Sequence, residues 1–195
     1  MIKAIIFDCF GVLTTDAWLP FKTEKFGSNP EKFEEAGRLN ALCDSGRISY
    51  EQFTQMIGEL SGIPGEQVKK IISTNVPNTD LLDFIKVHLK PRFKLGLLSN
   101  AGANWLGELI GVENIKLFDA INLSSETGLI KPSPEAYTKI LSELQAEEPE
   151  EFLFIDDQER YCDAAKELGL KTIVHESNIS TVEQINNLLA AESDS

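Results

Sequence analysis

Five short apolar runs, separated by longer stretches with helical spacing, constrain the fold of this chain more than any other feature. The first run does not alternate between apolar and polar residues, which indicates a strand buried on both faces. Strands that alternate with helices are typical of an α/β fold, in which helices cover both faces of a parallel sheet. The runs are KAIIF at 3–7, FKLGLL at 93–98, AINLS at 120–124, EFLFI at 151–155 and KTIVH at 171–175.

Helix-terminus signals lie between these runs. Asn78 can cap a helix that follows it, and Ser133 precedes Pro134, which suits the first helical position. Ser180 and Glu183 have the spacing of a capping box. We therefore predict that the last helix begins directly after Ser180.

Residues 14–77 differ from the rest because they contain helical patterns and no convincing strand. We predict a core domain formed by residues 1–13 and 78–195, with a helical domain of residues 14–77 inserted after the first strand. An open parallel sheet binds ligands at the carboxyl ends of its strands, so the insert could cover such a site. The helical patterns are PEKFEEAGRLNALCDSG, YEQFTQMIGELSG and PGEQVKKIIST.

Composition excludes some classes of partner. The chain has a formal net charge of −13 over 195 residues, and such a surface repels nucleic acids and anionic membranes, so we expect neither as a partner. Cys9, Cys43 and Cys162 show no paired spacing, which favours a reduced, cytoplasmic protein. No apolar run is long enough to span a membrane, and we expect no signal peptide because the first apolar stretch ends at Asp8. The sequence does not indicate which oligomeric state the protein adopts.

Small polar or acidic residues follow three of the predicted strands. They are Asp8 after the first run, Ser99 and Asn100 after the second, and Asp156 and Asp157 after the fourth. In a parallel sheet these carboxyl ends lie along one edge and could converge on one site. Such residues also favour strand exits and turns for local reasons, so each of them alone has an ordinary structural interpretation.

Three carboxylates brought together would repel one another. A divalent cation such as Mg²⁺ would remove that cost because it prefers hard oxygen ligands. One of the carboxylates could then act as a nucleophile, as in enzymes that form aspartyl intermediates. Lys131, in the stretch GLIKPSPEAY between two of the strands in question, could neutralise an anionic substrate, although a loop lysine alone is more often a solvated charge.

Four motifs in this order resemble those of the haloacid dehalogenase superfamily, which consists mostly of phosphatases that work through an aspartyl phosphate. IIFDCFGVL is similar to the first motif, a strand followed by D-x-D-G-T/V, and LLSN to the second, an apolar strand that ends in Ser or Thr. GLIKPSPEAY resembles the third, a lysine before a proline, and FLFIDDQERYCDAA the fourth, an acidic pair after a strand. The resemblance spans nearly the whole chain and implies a Rossmann-like core. CDSGRISYEQF resembles part of the small helical caps of one branch.

The resemblance implies a nucleophile and a Mg²⁺ site at the end of the first strand. Asp8 would be the nucleophile and a metal ligand, and the main-chain carbonyl of Phe10 would also hold the metal. Asp156 and Asp157 would complete the metal site, directly or through water. Three carboxylates, one Mg²⁺ and one lysine sum to about zero charge, so a phosphoryl dianion could enter without a prohibitive penalty.

The resemblance also implies substrate contacts. The Ser99 side chain and the Asn100 backbone would form hydrogen bonds to the phosphoryl oxygens of a small phosphorylated substrate. Lys131 would pair with both the nucleophile and the phosphoryl group. Asp8, Ser99 and Lys131 are therefore the expected catalytic residues.

One position departs from the superfamily pattern. The usual second aspartate, which is the general acid and base, is Phe10 here. Phenylalanine cannot protonate a leaving alkoxide, and such catalysis typically contributes about 10²–10⁴-fold. The enzyme could be slow or limited to good leaving groups, or another group could substitute. Asp16 is the nearest candidate, although it also has an ordinary interpretation as a turn residue.

Three functions stay open from the sequence. A Mg²⁺-dependent phosphatase is favoured because a metal-free site that attacks a carboxylate-bearing substrate gains nothing from the pair Asp156 and Asp157. Dehalogenases of the superfamily use no metal and carry an aromatic residue, usually tyrosine, at the position of Phe10, so a 2-haloacid dehalogenase is the second candidate. The third is a catalytically weak member that binds a phosphometabolite or a protein partner.

Overall fold

The computed structural model describes residues 1–101, 105–146 and 148–193. A five-stranded sheet forms its centre, with all neighbouring strands parallel and the order β3-β2-β1-β4-β5. The predicted α/β fold with a parallel sheet is therefore confirmed, and each strand agrees with its apolar run within one residue at either end. The strands are β1 Ala4–Phe7, β2 Lys94–Ser99, β3 Ala120–Leu123, β4 Phe152–Asp156 and β5 Lys171–Val174.

Helices occupy most of the remaining described chain. The α-helices are α1 Trp18–Phe26, α2 Pro30–Asp44, α3 Tyr50–Ser61, α4 Gly65–Ile72, α5 Thr79–Phe84, α6 Leu106–Leu109, α7 Val112–Ile115, α8 Ser124–Thr127, α9 Pro134–Leu144, α10 Glu159–Glu167 and α11 Asn178–Ser193. A π-helix at Ile85–Leu89 continues α5, and a 3₁₀ helix at Pro149–Glu151 leads into β4. Among the described residues, no helix has the length and apolar character needed to cross a membrane.

The central strand β1 is buried on both faces. Its side chains alternate between two hydrophobic clusters, because successive residues of a strand point to opposite faces. Ile5 and Phe7 pack with residues of α5 and α11, and Ala4 and Ile6 pack with residues of α9 and α10. This two-sided burial explains why the first apolar run has no polar positions before Asp8.

The register of the strands determines which residues meet at the carboxyl edge of the sheet. Phe7 lies opposite Leu97 of β2 and Ile155 of β4. The ladder continues one step further, since Asp8 N donates a hydrogen bond to Ile155 O at 2.9 Å. Asp8 and Asp156 therefore lie side by side where their strands end.

The helices α1 to α4 lie between β1 and α5 and form a hydrophobic cluster of their own. α2 has a strong start, since Asn29 Oδ1 accepts a hydrogen bond from Lys32 N at 3.1 Å and Pro30 occupies the first turn. The cluster buries Phe21, Phe26, Ala36, Leu39, Cys43, Phe53, Ile57, Val68 and Ile72.

Two helix starts differ from the sequence-based expectation. α1 is absent from the predicted patterns, and it begins where Asp16 Oδ1 accepts a hydrogen bond from Trp18 N at 2.8 Å. The predicted start of the last helix after Ser180 is wrong, because α11 already begins at Asn178. The cap lies one turn upstream, where Ser177 Oγ accepts a hydrogen bond from Ser180 N at 3.2 Å.

Candidate functional site

Three carboxylates meet at the carboxyl edge of the sheet, where β1 and β4 run side by side. Asp8 directly follows β1, Asp156 is the last residue of β4, and Asp157 follows it. One oxygen atom from each of the three side chains lies within 4.8 Å of the others. The structure thus brings together the acidic residues that were expected to converge from separate parts of the sequence.

Lys131 links two of these carboxylates. Its Nζ lies 2.8 Å from Asp8 Oδ1 and 2.6 Å from Asp156 Oδ2, and its side chain is only 1% exposed. Burial alone would lower the pKa of Lys131, but the negative charges of Asp156 and Asp8 raise it above its usual value. The lysine is therefore a permanent positive charge at the site.

The protonation of Asp8 reflects several opposing influences. Burial raises the pKa of Asp8 to about 7, the charge of Lys131 opposes this shift, and the charge of Asp156 adds to it. The ion pair with Lys131 lowers the pKa of Asp8 by less than the loss of surrounding water raises it. Any further positive charge at this position would favour the ionised, nucleophilic form.

Asp157 has an orphaned oxygen. Its Oδ1 is buried, and no hydrogen bond from the described residues reaches it. Burial raises the pKa of Asp157 to about 6, and the neighbouring charge of Asp156 contributes. Gly11 makes room for this carboxyl group, since it has a φ of +84° and a Cβ there would lie 2.5 Å from Asp157 Cγ.

The residues present fit a Mg²⁺ ion. The site offers hard carboxylate oxygens, which this ion prefers, and a buried oxygen of Asp157 that lacks a partner among the described residues. Phe10, whose carbonyl is the fourth expected ligand, lies two residues beyond Asp8. Its side chain is half-buried and packs against the core cluster that contains Phe7.

Ser99 and Asn100 lie at the end of β2, but they differ in their surroundings. Ser99 is 1% exposed, and its Oγ is buried with no hydrogen-bond partner among the described residues. The Asn100 side chain instead binds the backbone of Lys131. Asn100 Nδ2 donates to Lys131 O at 3.0 Å, and Lys131 N donates to Asn100 Oδ1 at 2.8 Å. Sequence reasoning considered only the Asn100 backbone and missed this contact.

A cavity of about 910 Å³ lies between the edge of the sheet and the helices α1 to α4. It is lined by aromatic, acidic and basic side chains, so it can accept a polar ligand with an apolar part. Its wall includes Asp8, Phe10, Asn100, Lys131 and Tyr161 from the sheet side, and Trp18, Asp44, Tyr50 and Lys69 from the four helices.

Asp16 lines this cavity as well, but both of its carboxylate oxygens contribute to the start of α1. Oδ1 accepts a hydrogen bond from Trp18 N at 2.8 Å, and Oδ2 accepts one from Leu19 N at 3.3 Å. Its interpretation as a local capping and turn residue therefore has a structural basis.

Asp44 is a cavity residue that sequence reasoning missed. It is the last residue of α2, and its Oδ2 accepts a hydrogen bond from Asn40 Nδ2 at 2.7 Å. Burial raises the pKa of Asp44 to about 7, the charge of Lys131 lowers it, and the charge of Asp16 raises it. The one available signal was its place inside the stretch CDSGRISYEQF, which was used only to identify the helical insert.

A family model described as haloacid dehalogenase-like hydrolase matches residues 2–169. A structure of an enzyme of this family from Bacteroides thetaiotaomicron, in complex with magnesium and inorganic phosphate, has a TM-score of 0.70 at 27% identity, covering 91% of this chain and 96% of that one. A predicted family hydrolase from Porphyromonas gingivalis has a TM-score of 0.72 at 26% identity, covering 97% and 98%.

Two further proteins are similar to this chain, one at low sequence identity and one over only part of its length. The L-2-haloacid dehalogenase from Xanthobacter autotrophicus has a TM-score of 0.62 at 20% identity, covering 95% of this chain and 82% of that one, and at this identity it shows a common fold alone. Bifunctional epoxide hydrolase 2 from Sus scrofa is 27% identical over an alignment of 205 positions, gaps included, which covers 89% of this chain and 36% of that protein. The chain thus spans about a third of the length of this curated relative.

Proposed function

The chain belongs to the haloacid dehalogenase-like hydrolases, and we propose that within this family it is a Mg²⁺-dependent phosphatase of a small phosphorylated metabolite. The observation that carries this proposal is the charge at the site, where three carboxylates converge and Lys131 pairs with only two of them. The magnesium and phosphate bound to the Bacteroides thetaiotaomicron enzyme add support.

The charge balance favours a metal. When ionised, Asp8, Asp156 and Asp157 carry three negative charges against the single positive charge of Lys131. One Mg²⁺ would neutralise the remainder, which allows a phosphoryl dianion to enter. Asp8, the Phe10 carbonyl and the pair Asp156 and Asp157 would hold this ion. When bound, it would supply a fixed positive charge beside the phosphoryl oxygens.

In the reaction, an oxygen of Asp8 would attack the phosphorus atom, forming an Asp8–phosphorus bond while the ester oxygen leaves. Lys131, within reach of Asp8, keeps the nucleophile oriented and stabilises negative charge on the phosphoryl group. Ser99 Oγ, which has no partner among the described residues, is available to donate to a phosphoryl oxygen. Attack of water on the aspartyl phosphate would then release phosphate and regenerate Asp8.

We further propose that residues 14–77 act as a cap domain over a core of residues 1–13 and 78–195. The large cavity supports this division, because its wall combines side chains of α1 to α4 with Asp8 and Lys131. The cap would exclude water from the aspartyl phosphate and select the substrate. The free cysteines Cys9, Cys43 and Cys162 support a reducing, cytoplasmic location.

The presence of Phe10 favours a second candidate, a metal-free dehalogenase in which the aspartate attacks carbon and displaces a halide. Halide leaves without protonation, so a phenylalanine at this position would carry no penalty. Incubation with a 2-haloacid in the presence of EDTA tests it, and halide release that depends on Asp8 would support this function over the phosphatase.

Turnover of 4-nitrophenyl phosphate, with and without Mg²⁺, is the first experiment for the phosphatase. The wild type should require Mg²⁺, and Asp8→Asn should lose turnover while keeping its fold by circular dichroism. Retained activity in Asp8→Asn, or none in the wild type with Mg²⁺, would contradict the proposal.

Calorimetry tests the metal site directly. The double variant Asp156→Asn with Asp157→Asn should bind Mg²⁺ much more weakly than the wild type. Asp163→Asn is a matched control, because this exposed aspartate of α10 pairs with Lys166 at the surface. Equal Mg²⁺ affinity in the double variant and the control would place the metal elsewhere.

A further inference from the structure

The proposed phosphatase reaction needs a proton for its leaving oxygen, and Phe10 cannot supply one. We propose that Asp44, the last residue of α2, is the general acid and base of this reaction. The inference rests on the phosphatase function proposed above and adds a catalytic residue to it. It also predicts the class of substrate, since an acid is needed chiefly for alcohol phosphates, whose alkoxides are poor leaving groups.

The position of Asp44 supports this role. Its side chain lines the same cavity as Asp8 and Lys131, but it comes from the helical side. A substrate whose phosphoryl group lies at Asp8 extends its leaving group into this cavity. A carboxyl group on the helical wall can therefore meet the leaving oxygen.

The end of α2 is attached to the core of the protein. Ser124 Oγ, at the start of α8, donates a hydrogen bond to the backbone oxygen of Asp44 at 2.5 Å. The same hydroxyl accepts a hydrogen bond from Ala101 N, just beyond β2, at 2.9 Å. Asp44 is thus fixed relative to the ends of β2 and β3, although it belongs to the helical segment.

The chain turns closely over the core directly after Asp44. Gly46 has a φ of +70°, and a Cβ there would lie 3.3 Å from Ser125 O. A side chain at this position would be strained and would push the end of α2 away from α8. The glycine therefore helps keep Asp44 at the cavity.

Asp44 can hold a proton near neutral pH, as a general acid requires. Burial raises its pKa to about 7, against the lowering effect of Lys131 and with the raising effect of Asp16. The other charged or titratable side chains on the cavity wall include Lys22, Tyr50, Lys69, Glu108, Arg160 and Tyr161.

Asp44 suits the role better than Asp16. Both oxygens of Asp16 accept backbone hydrogen bonds at the start of α1, so protonation would weaken that helix end. Within the described part of the chain, the carboxyl group of Asp44 accepts a hydrogen bond from Asn40 alone. Protonation of Asp44 therefore disrupts fewer hydrogen bonds than protonation of Asp16.

The proton balance of the reaction closes without any co-reactant. As the Asp8–phosphorus bond forms and the bond to the ester oxygen breaks, Asp44 transfers its proton to that oxygen and an alcohol leaves. The resulting Asp44 carboxylate then accepts a proton from the water that attacks the aspartyl phosphate. Phosphate leaves, and both Asp8 and protonated Asp44 are regenerated.

The test compares the wild type, Asp44→Asn and Asp44→Glu on a series of substituted phenyl phosphates and on glycerol 1-phosphate, all with Mg²⁺. Asp44→Asn should lose about 10²–10⁴-fold in kcat/KM for the poorest leaving groups and much less for 2,4-dinitrophenyl phosphate. Asp44→Glu should recover part of the loss, and Asp44→Asn should lose the alkaline limb of the pH–rate profile. Glu35→Gln, an exposed charge change on the same helix, serves as the control.

The outcomes separate this inference from the phosphatase proposal. Equal leaving-group dependence in Asp44→Asn and Glu35→Gln, with Asp8→Asn inactive, would overturn the role of Asp44 and leave the phosphatase intact. A wild type that cleaves none of the esters would overturn both. A uniform loss over all leaving groups, with an unchanged pH profile, would assign Asp44 a structural role and contradict the proposal.

Discussion

The side chain of Asn100 and the backbone of Lys131 form two reciprocal hydrogen bonds. Asn100 Nδ2 donates to Lys131 O at 3.0 Å, and Lys131 N donates to Asn100 Oδ1 at 2.8 Å. Asn100 follows β2, and Lys131 lies in the loop before α9, so the pair joins two separate segments. The end of β2 thereby positions the loop whose lysine side chain reaches Asp8 and Asp156.

Replacing Asn100 should therefore affect both stability and turnover. Asn100→Ala removes two hydrogen bonds and leaves buried backbone groups of Lys131 unpaired, which should cost about 1–3 kcal/mol of unfolding free energy. Because Lys131 loses its support, kcat should fall more than KM rises. Urea denaturation and steady-state kinetics measure the two effects.

Asn114→Ala is the matched control for this variant. Asn114 donates one side-chain hydrogen bond, to Ile110 O at 2.8 Å, and does not line the cavity. A kcat in Asn100→Ala equal to that of Asn114→Ala would show that the reciprocal pair has no part in orienting Lys131.

Lys131 should contribute strongly to the stability of the metal-free protein. Lys131→Met leaves Asp8 and Asp156 without their buried cation, and breaking such a pair typically costs about 3–5 kcal/mol. Mg²⁺ should restore part of this stability, because it replaces positive charge beside the same carboxylates. Urea unfolding with EDTA and with Mg²⁺ measures both quantities.

Lys139→Met controls for the loss of a lysine. Lys139 pairs with Glu143 on the surface of α9, with both side chains more than a third exposed, and such pairs contribute at most about 1 kcal/mol. If Lys131→Met in EDTA unfolds at the same urea concentration as Lys139→Met, the buried pair contributes nothing to stability.

The sheet and most acidic site positions were predictable from the sequence because they follow from local chemistry. A buried apolar run stops at a charged residue, so Asp8 and Asp156 mark the carboxyl ends of β1 and β4 in the sequence pattern itself. Parallel pairing then requires those ends to lie on one edge. The pairing of Lys131 with the nucleophile Asp8 was implied by the family resemblance, because nothing in the local sequence shows which partner a loop lysine will have.

The remaining features depend on contacts between distant parts of the chain. The Asn100 side chain finds its partner 31 residues later, and Asp44 is fixed by Ser124, 80 residues later. The hydrophobic periodicity of the sequence does not predict contacts between residues so far apart in the chain. The predicted start of α11 was wrong for a local reason. Ser177 and Ser180 can both cap a helix, and the spacing from Ser180 to Glu183 favoured Ser180.

The stability of the metal-free protein should fall as the pH rises towards neutrality. Burial raises the folded-state pKa values of Asp8 and Asp157 to about 7 and about 6, well above the usual value of an aspartate. Between about pH 4 and pH 7 the folded state therefore binds protons that the unfolded chain has released, and folding weakens as these protons are lost. Each pKa unit of such a shift corresponds to about 1.4 kcal/mol, so a decrease of several kcal/mol in unfolding free energy is expected over this range in EDTA.

Mg²⁺ should act in the opposite direction, because it binds the deprotonated carboxylates of the folded state. The increase in Tm on adding Mg²⁺ should thus be small at pH 5 and larger at pH 8. Asp157→Asn should reduce both the decrease in EDTA and the gain from Mg²⁺. A Tm in EDTA that rises steadily from pH 5 to pH 8 would contradict the raised pKa values.

A carboxylate at position 10 should compensate for a missing acid at position 44. In the Asp44→Asn background, Phe10→Asp would restore a proton donor two residues after Asp8, and kcat/KM for poor leaving groups should rise by up to about 10²-fold. Phe10 packs against the core, so the change should also cost on the order of 3 kcal/mol of stability. Phe10→Asn in the same background loses the same packing but supplies no acid. A shallower leaving-group dependence with aspartate than with asparagine is the expected result, whereas identical slopes would mean that a carboxyl group at position 10 cannot reach the leaving oxygen.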